Sequence, residues 1–82
     1  MKRIAIFASG NGSNAENMIR YFRDNGLGWT VALVVSDRAE AKVIQRAVRL
    51  DVPYAVVSKT ELGDSDIMLG LMERYSVDAV VL

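Results

Sequence analysis

Short runs of almost wholly apolar residues alternate along this chain with stretches whose apolar positions recur every three or four residues. The first run, Ile4-Ala5-Ile6-Phe7-Ala8, has no polar position, and Thr30-Val31-Ala32-Leu33-Val34-Val35 repeats that character with β-branched enrichment. Strands without a polar face are those covered on both sides. Between the two, Ala15, Met18, Ile19 and Phe22 mark one face of a helix over 14–25, with Gly26 placed to end it and Gly26-Leu27-Gly28 to turn the chain. Ala39, Val43, Ile44, Ala47 and Leu50 predict a second helix over 40–50. Asp37 and Glu40 have the spacing of a capping box at its start, with Asp in place of Ser or Thr. Residues 53–57 form a third, shorter strand with Pro53 at its first position. After a polar loop, Ser65 is placed to cap a helix carrying Met68, Leu71, Met72 and Tyr75 on one face. Gly70 weakens that helix by about 1 kcal/mol relative to alanine. Asp78-Ala79-Val80-Val81-Leu82 begins a fourth strand.

Alternation of this kind with short loops implies parallel pairing and right-handed crossovers. The expected fold is α/β, a Rossmann-like parallel sheet with helices on both faces and strand order 3-2-1-4. That order puts the loop after strand 1 at the switch point between strands 1 and 4, where open α/β sheets bind ligands. A sheet ending in an apolar strand lacks a protected edge. The chain therefore reads as the first half of a doubly wound domain, truncated in its fourth strand and prone to aggregate along the exposed edge.

With 82 residues this is at most one small domain, burying about 60–65% of its unfolded surface. Ten basic and ten acidic residues cancel, which leaves no electrostatic case for nucleic acid or an anionic membrane. There is no cysteine and no histidine. That removes disulfides, a thiolate nucleophile, the usual metal ligands and the side chain most used as a general base near neutral pH. No run approaches the roughly 18–20 apolar residues of a membrane span. The apolar stretch after Met1-Lys2-Arg3 is shorter than the roughly 7–15 residues of a secretory signal, so a cytoplasmic location is expected.

Gly10-Asn11-Gly12-Ser13-Asn14 lies between the first strand and the first helix. A helix start presents unpartnered N–H groups and partial positive charge, and glycines allow the backbone to approach a ligand. Main-chain donors there, with the Ser13 hydroxyl and the amides of Asn11 and Asn14, suit a phosphate. Three chemistries compete. Gly10-x-Gly12-x-x-Ala15 fits a dinucleotide pattern, with Asp37 near the place of a ribose-binding carboxylate, although Asn11, Ser13 and Asn14 are bulky where a pyrophosphate needs bare backbone. A nucleoside-triphosphate loop is excluded, because no lysine stands in the loop. A compact terminal phosphate fits the polar side chains best. The loop also reads as a tight turn that binds nothing, with Asn14 or Ser13 as helix caps.

The run from Ile4 through Ser9-Gly10-Asn11-Gly12-Ser13-Asn14 resembles the opening of the phosphoribosylglycinamide formyltransferases, the folate-dependent glycinamide ribonucleotide transformylases of purine biosynthesis. The likeness continues through Val35-Ser36-Asp37-Arg38-Ala39-Glu40-Ala41, Gln45-Arg46-Ala47, Asp51-Val52-Pro53 and Val77-Asp78-Ala79-Val80-Val81-Leu82. It implies that residues 1–82 are an N-terminal, nucleotide-substrate-binding half. The backbone of Gly12, Ser13 and Asn14, with Asn11 nearby, would hold the 5′-phosphate of glycinamide ribonucleotide. The formyl donor would be 10-formyltetrahydrofolate, bound mainly by residues beyond 82. The family's catalytic Asn, His and Asp follow the fourth strand and have no counterpart here, so the 82 residues alone are expected to be inactive. An Arg that members carry before the third helix has no clear counterpart in Leu62-Gly63-Asp64-Ser65-Asp66. The partner implied is a small molecule, with neither nucleic acid nor membrane involved. The alternative is a Rossmann-type dinucleotide-binding module without catalytic activity. Elsewhere, Trp29, Tyr21, Tyr54 and Tyr75 read as packing residues, and Arg20, Arg23, Arg46 and Arg49 as solvated residues on polar helix faces.

Overall fold

The computed structural model describes residues 2–8, 10–25 and 28–81. The expected Gly26 stop, most of the 26–28 turn, Ser9 of the loop motif and Leu82 of the last strand lie outside them. In chain order the elements are β1 (Lys2–Phe7), α1 (Ser13–Asn25), β2 (Trp29–Ser36), α2 (Lys42–Arg49), β3 (Tyr54–Val56), α3 (Lys59–Leu62), α4 (Ser65–Arg74) and β4 (Ala79–Val81). The strands form one parallel sheet in the order β3-β2-β1-β4, as expected.

Each face of the sheet has its own core. Ile4 and Ile6 of β1 meet Ala15 and Ile19 of α1 and Val43, Ile44 and Ala47 of α2. Ala5 belongs to the opposite face with Leu33, Val35 and Val57, against which Leu71, Met72 and Tyr75 of the α4 region pack. In β2 the alternation breaks, because Ile4 pairs with Val31 whereas Ala5 pairs with Leu33. Ala32 is thus the extra residue of a bulge. A one-residue slip exchanges the faces of a strand, which is why Val31 and Val34 share one core while Leu33 and Val35 share the other.

The helix boundaries correct three expectations. The Asp37–Glu40 box does not form, and α2 starts at Lys42 after Ala41, which makes no side-chain cap bond. Ala41 is buried, so the chain must dive into the core before the helix begins. Residues 37–40 turn instead, with Arg38 N–H donating to Ser36 Oγ at 3.2 Å and Ala41 N–H to the Arg38 carbonyl at 3.2 Å. At α4 the cap is Asp64, whose Oδ1 accepts from the N–H groups of Asp66 (3.0 Å) and Ile67 (3.2 Å). Ser65 is the first helical residue. A carboxylate there also meets the positive end of the helix. The stretch expected as a polar loop contains α3, started by a reciprocal box in which Glu61 N–H reaches Ser58 Oγ (3.1 Å) and Ser58 N–H reaches Glu61 Oε1 (2.8 Å).

Both α2 and α4 end through a left-handed residue, Asp51 (φ 62°) and Ser76 (φ 54°). Val52 N–H then bonds the Ala47 carbonyl and Val77 N–H the Met72 carbonyl, each at 2.9 Å, closing the last turns. At the opposite end of the sheet from the loop, Asp78 locks β4 to β1. Its Oδ2 accepts from Arg3 N–H at 2.9 Å and its own N–H donates to the Arg3 carbonyl at 2.7 Å. Among the described residues, no helix is long and apolar enough to cross a membrane.

Candidate functional site

The chain leaves β1 through a loop that α2 holds from the side. Gly10 (φ 81°) and Gly12 (φ 76°) both adopt left-handed backbone, which glycine reaches without strain. At Gly12 a second constraint applies, since an added Cβ would lie 2.7 Å from Val43 Cα. The close approach that glycine permits at position 12 is between loop and helix, a demand the sequence did not suggest.

The carbonyls of residues 10–12 and the Asn11 side-chain oxygen are taken. The Gly10 carbonyl accepts from Val43 N–H at 3.2 Å and the Gly12 carbonyl from Glu16 N–H at 2.9 Å. The Asn11 carbonyl accepts from Arg46 Nε at 2.7 Å, and Asn11 Oδ1 from Arg46 Nη2 at 2.9 Å. A guanidinium only donates, so the Asn11 atom it touches must be the oxygen, leaving both Nδ2 protons for another acceptor. Among the described residues, no carbonyl or side chain accepts from N–H of Asn14, and the side chains of Ser13 and Asn14 make no hydrogen bond. Ser13 and Asn14 are the first two residues of α1, so neither stands in the position of a cap before the helix. Open donors thus remain at the helix start, namely Asn14 N–H, the Asn11 amide protons, the Ser13 hydroxyl and the Asn14 amide, an arrangement that favours an anion.

Asn11, Gly12, Ser13 and Asn14 line one cavity of about 300 Å³, together with Ile6, Phe7, Ala8, Ala15, Met18 and Val81. Its floor is the C-terminal ends of β1 and β4, the switch point of the sheet. The structure thus brings all four expected residues together at the expected place.

Three arginines, all expected in solvent, converge beside it. Glu16, in the first turn of α1, pairs with Arg46 at 2.7 Å, with Arg20 at 3.1 Å and with Arg49. Arg20 and Arg49 remain mostly exposed, but the Arg46 side chain is only 26% exposed. The hydrogen bond from Arg46, helped by those from Arg20 and by the Arg49 charge, holds the Glu16 carboxyl below its ordinary 4.5 despite opposing desolvation. Three guanidinium charges against one carboxylate leave this side of the loop positive, which draws anions toward it. Glu16 and Arg46 were missed as site residues. Their one-dimensional signal is weak, since an acid in a first helical turn and an arginine on a polar face are ordinary.

Residues 2–82 match the formyl transferase family. The chain belongs to that family. It is 43% identical to the phosphoribosylglycinamide formyltransferase of Bacillus subtilis over 83 residues, covering all of this chain and 43% of that protein. Glycinamide ribonucleotide transformylase 1 from Geobacillus kaustophilus superposes with a TM-score of 0.85 at 36% identity, over 98% of this chain and 45% of the other. Phosphoribosylglycinamide formyltransferase from Brucella melitensis gives 0.85 at 28% identity, over 96% and 43%. This formyl transferase chain thus spans less than half the length of the relatives it matches.

Other conspicuous residues of the formyl transferase chain lie away from the loop. Trp29 opens β2, stacks on Phe22 with centroids 6.4 Å apart and carries Lys2 Nζ 5.8 Å above its ring. Tyr75 packs in the second core, whereas Tyr21 and Tyr54 are exposed. Arg23 donates to the Leu50 carbonyl. Asp37 lines a different cavity, with Val35, Ser36, Lys59 and Leu62, that shares only Phe7 and Ala8 with the loop's. Among the described residues, no group of three or more acidic side chains is placed to hold a metal ion.

Proposed function

We propose that this chain is the substrate-phosphate half of a cytoplasmic phosphoribosylglycinamide formyltransferase acting in purine (IMP) biosynthesis. The reaction moves the formyl group of 10-formyltetrahydrofolate to the amine of 5-phosphoribosylglycinamide. The amine nitrogen bonds to the formyl carbon, the bond from that carbon to the folate nitrogen breaks, and the proton lost by the amine returns to that nitrogen. Gly12 and Asn14 N–H, the Ser13 N–H and hydroxyl and the Asn11 amide grip the 5′-phosphate. Residues 1–82 supply positioning: a fixed phosphate sets the distance between amine and formyl carbon, which lowers the barrier by removing freedom of approach.

The observation that carries this reading is the loop's asymmetry. The carbonyls of Gly10, Asn11 and Gly12 and the Asn11 side-chain oxygen are engaged by α1 and α2, while the Asn11 amide protons, Asn14 N–H and the Ser13 hydroxyl stay open at the switch point. The likeness to phosphoribosylglycinamide formyltransferases supplies the identity of the phosphate's bearer. Calorimetry with glycinamide ribonucleotide and with NAD tests it. Binding of the ribonucleotide, weakened by Ser13→Ala, is expected. Tighter binding of NAD, unaffected by that substitution, would transfer the loop to a dinucleotide-binding module.

A further inference from the structure

Arg46 lies 35 residues from Asn11 in sequence, yet three of its nitrogens are committed at the loop. Nε takes the Asn11 carbonyl, Nη2 takes Asn11 Oδ1 and Nη1 takes Glu16 Oε1. A planar fork that meets the main chain and the side chain of one residue fixes the backbone and the amide rotamer together. It also decides which end of the Asn11 amide is free. Without the fork the amide can turn, and an oxygen facing a phosphate would repel it.

We infer that Arg46 is a positioning residue for phosphate recognition: by clamping Asn11 through its fork it engages both Asn11 oxygens and leaves the Asn11 amide protons free for the phosphate. This rests on the reading that the loop holds the substrate's 5′-phosphate. Arg49 provides an internal comparison, because it shares Glu16 and carries the same charge, but nothing ties it to Asn11 among the described residues.

The test is steady-state kinetics of the native enzyme carrying Arg46→Lys, Arg46→Gln or Arg49→Gln. Thermal melts establish that each variant is folded. Arg46→Gln is expected to raise KM for glycinamide ribonucleotide roughly ten- to hundredfold, the span of a lost charge-assisted hydrogen bond, with KM for the formyl donor unchanged. Arg46→Lys keeps the charge and loses the fork, so it is expected to leave most of that defect. Arg49→Gln is expected to change KM less than about threefold, through screened charge alone. Should Arg46→Gln leave the ribonucleotide KM unchanged, or Arg46→Lys restore it fully, the positioning role is overturned while phosphate binding by the loop stands. If the unsubstituted protein neither turns over nor binds glycinamide ribonucleotide, the functional reading itself falls. Should Arg46→Gln fail to fold, Arg46→Lys with the dephosphorylated substrate decides. Positioning predicts a reduced preference for the phosphorylated form, and an unreduced preference refutes it.

Discussion

Gly12 carries two demands at once, a left-handed backbone and the space beneath Val43. Gly12→Ala cannot meet either without moving α2 or the loop, so it should cost about 2–3 kcal/mol, read from urea unfolding, and should abolish phosphate binding. Gly10 has the same sign of φ but open space around it, so Gly10→Ala should be the milder change. Glu16 makes a pH prediction with a definite sign. Its folded-state pKa is depressed by Arg46, Arg20 and Arg49, so its contribution is present above its unfolded value, ordinarily 4.5, and is lost as pH falls through the lower folded value. Glu16→Gln should therefore melt below the unsubstituted protein at pH 7, and the gap should close in acid. A gap that persists at pH 3 would contradict the ion-pair account. The loop motif itself was legible because glycines and hydroxyls before an amphipathic run carry a local meaning. The Arg46–Asn11–Glu16 cluster was not, since it joins three elements whose approach only the packed fold determines.

Of the three helices longer than four residues, α4 is the least buried. None of its residues is fully buried, and Ile67 and Leu69 are exposed. Gly70 sits in its middle with nothing within 4 Å of an added Cβ, so Gly70→Ala should stabilise by about 1 kcal/mol. Ser76→Gly should add about 0.5–1 kcal/mol by relieving its left-handed φ; thermal or urea melts check both. Capping shows where sequence and structure part. Ser58-x-x-Glu61 is a complete capping-box pattern that marks α3 and went unread, while Asp37-x-x-Glu40 has the same spacing and caps nothing. The difference lies at Ala41, whose burial pulls the chain inward before α2 can begin. Local spacing proposes a cap, and the demands of the core decide whether it forms. The bulge at Ala32 is of the same kind. An unbroken apolar strand hides a change of face, so nothing in β2 announces it.

For the molecule as a whole, the strand order followed from alternation and connection rules because strands without a polar face need helices on both sides. The described sheet has its strength at its centre. β1 and β2 supply half of the buried apolar residues, whereas β3 and β4 are three residues each and bury none, with Val56 and Val80 exposed. Hydrogen exchange should accordingly protect amides of β1 and β2 most, with β3 and β4 opening at lower free energy. Equal protection across all four strands would show that the edges are held by more than this sheet. The central claim is that the loop's open donors at the start of α1 hold a lone phosphoryl group. Its most direct measurement is an amide ¹H–¹⁵N chemical-shift titration of the protein with glycinamide ribonucleotide and with its dephosphorylated form. The account predicts saturable shifts at Gly12, Ser13 and Asn14 with the phosphorylated ligand only. Equal shifts with both ligands, or shifts confined to the neighbourhood of Asp37, would contradict it.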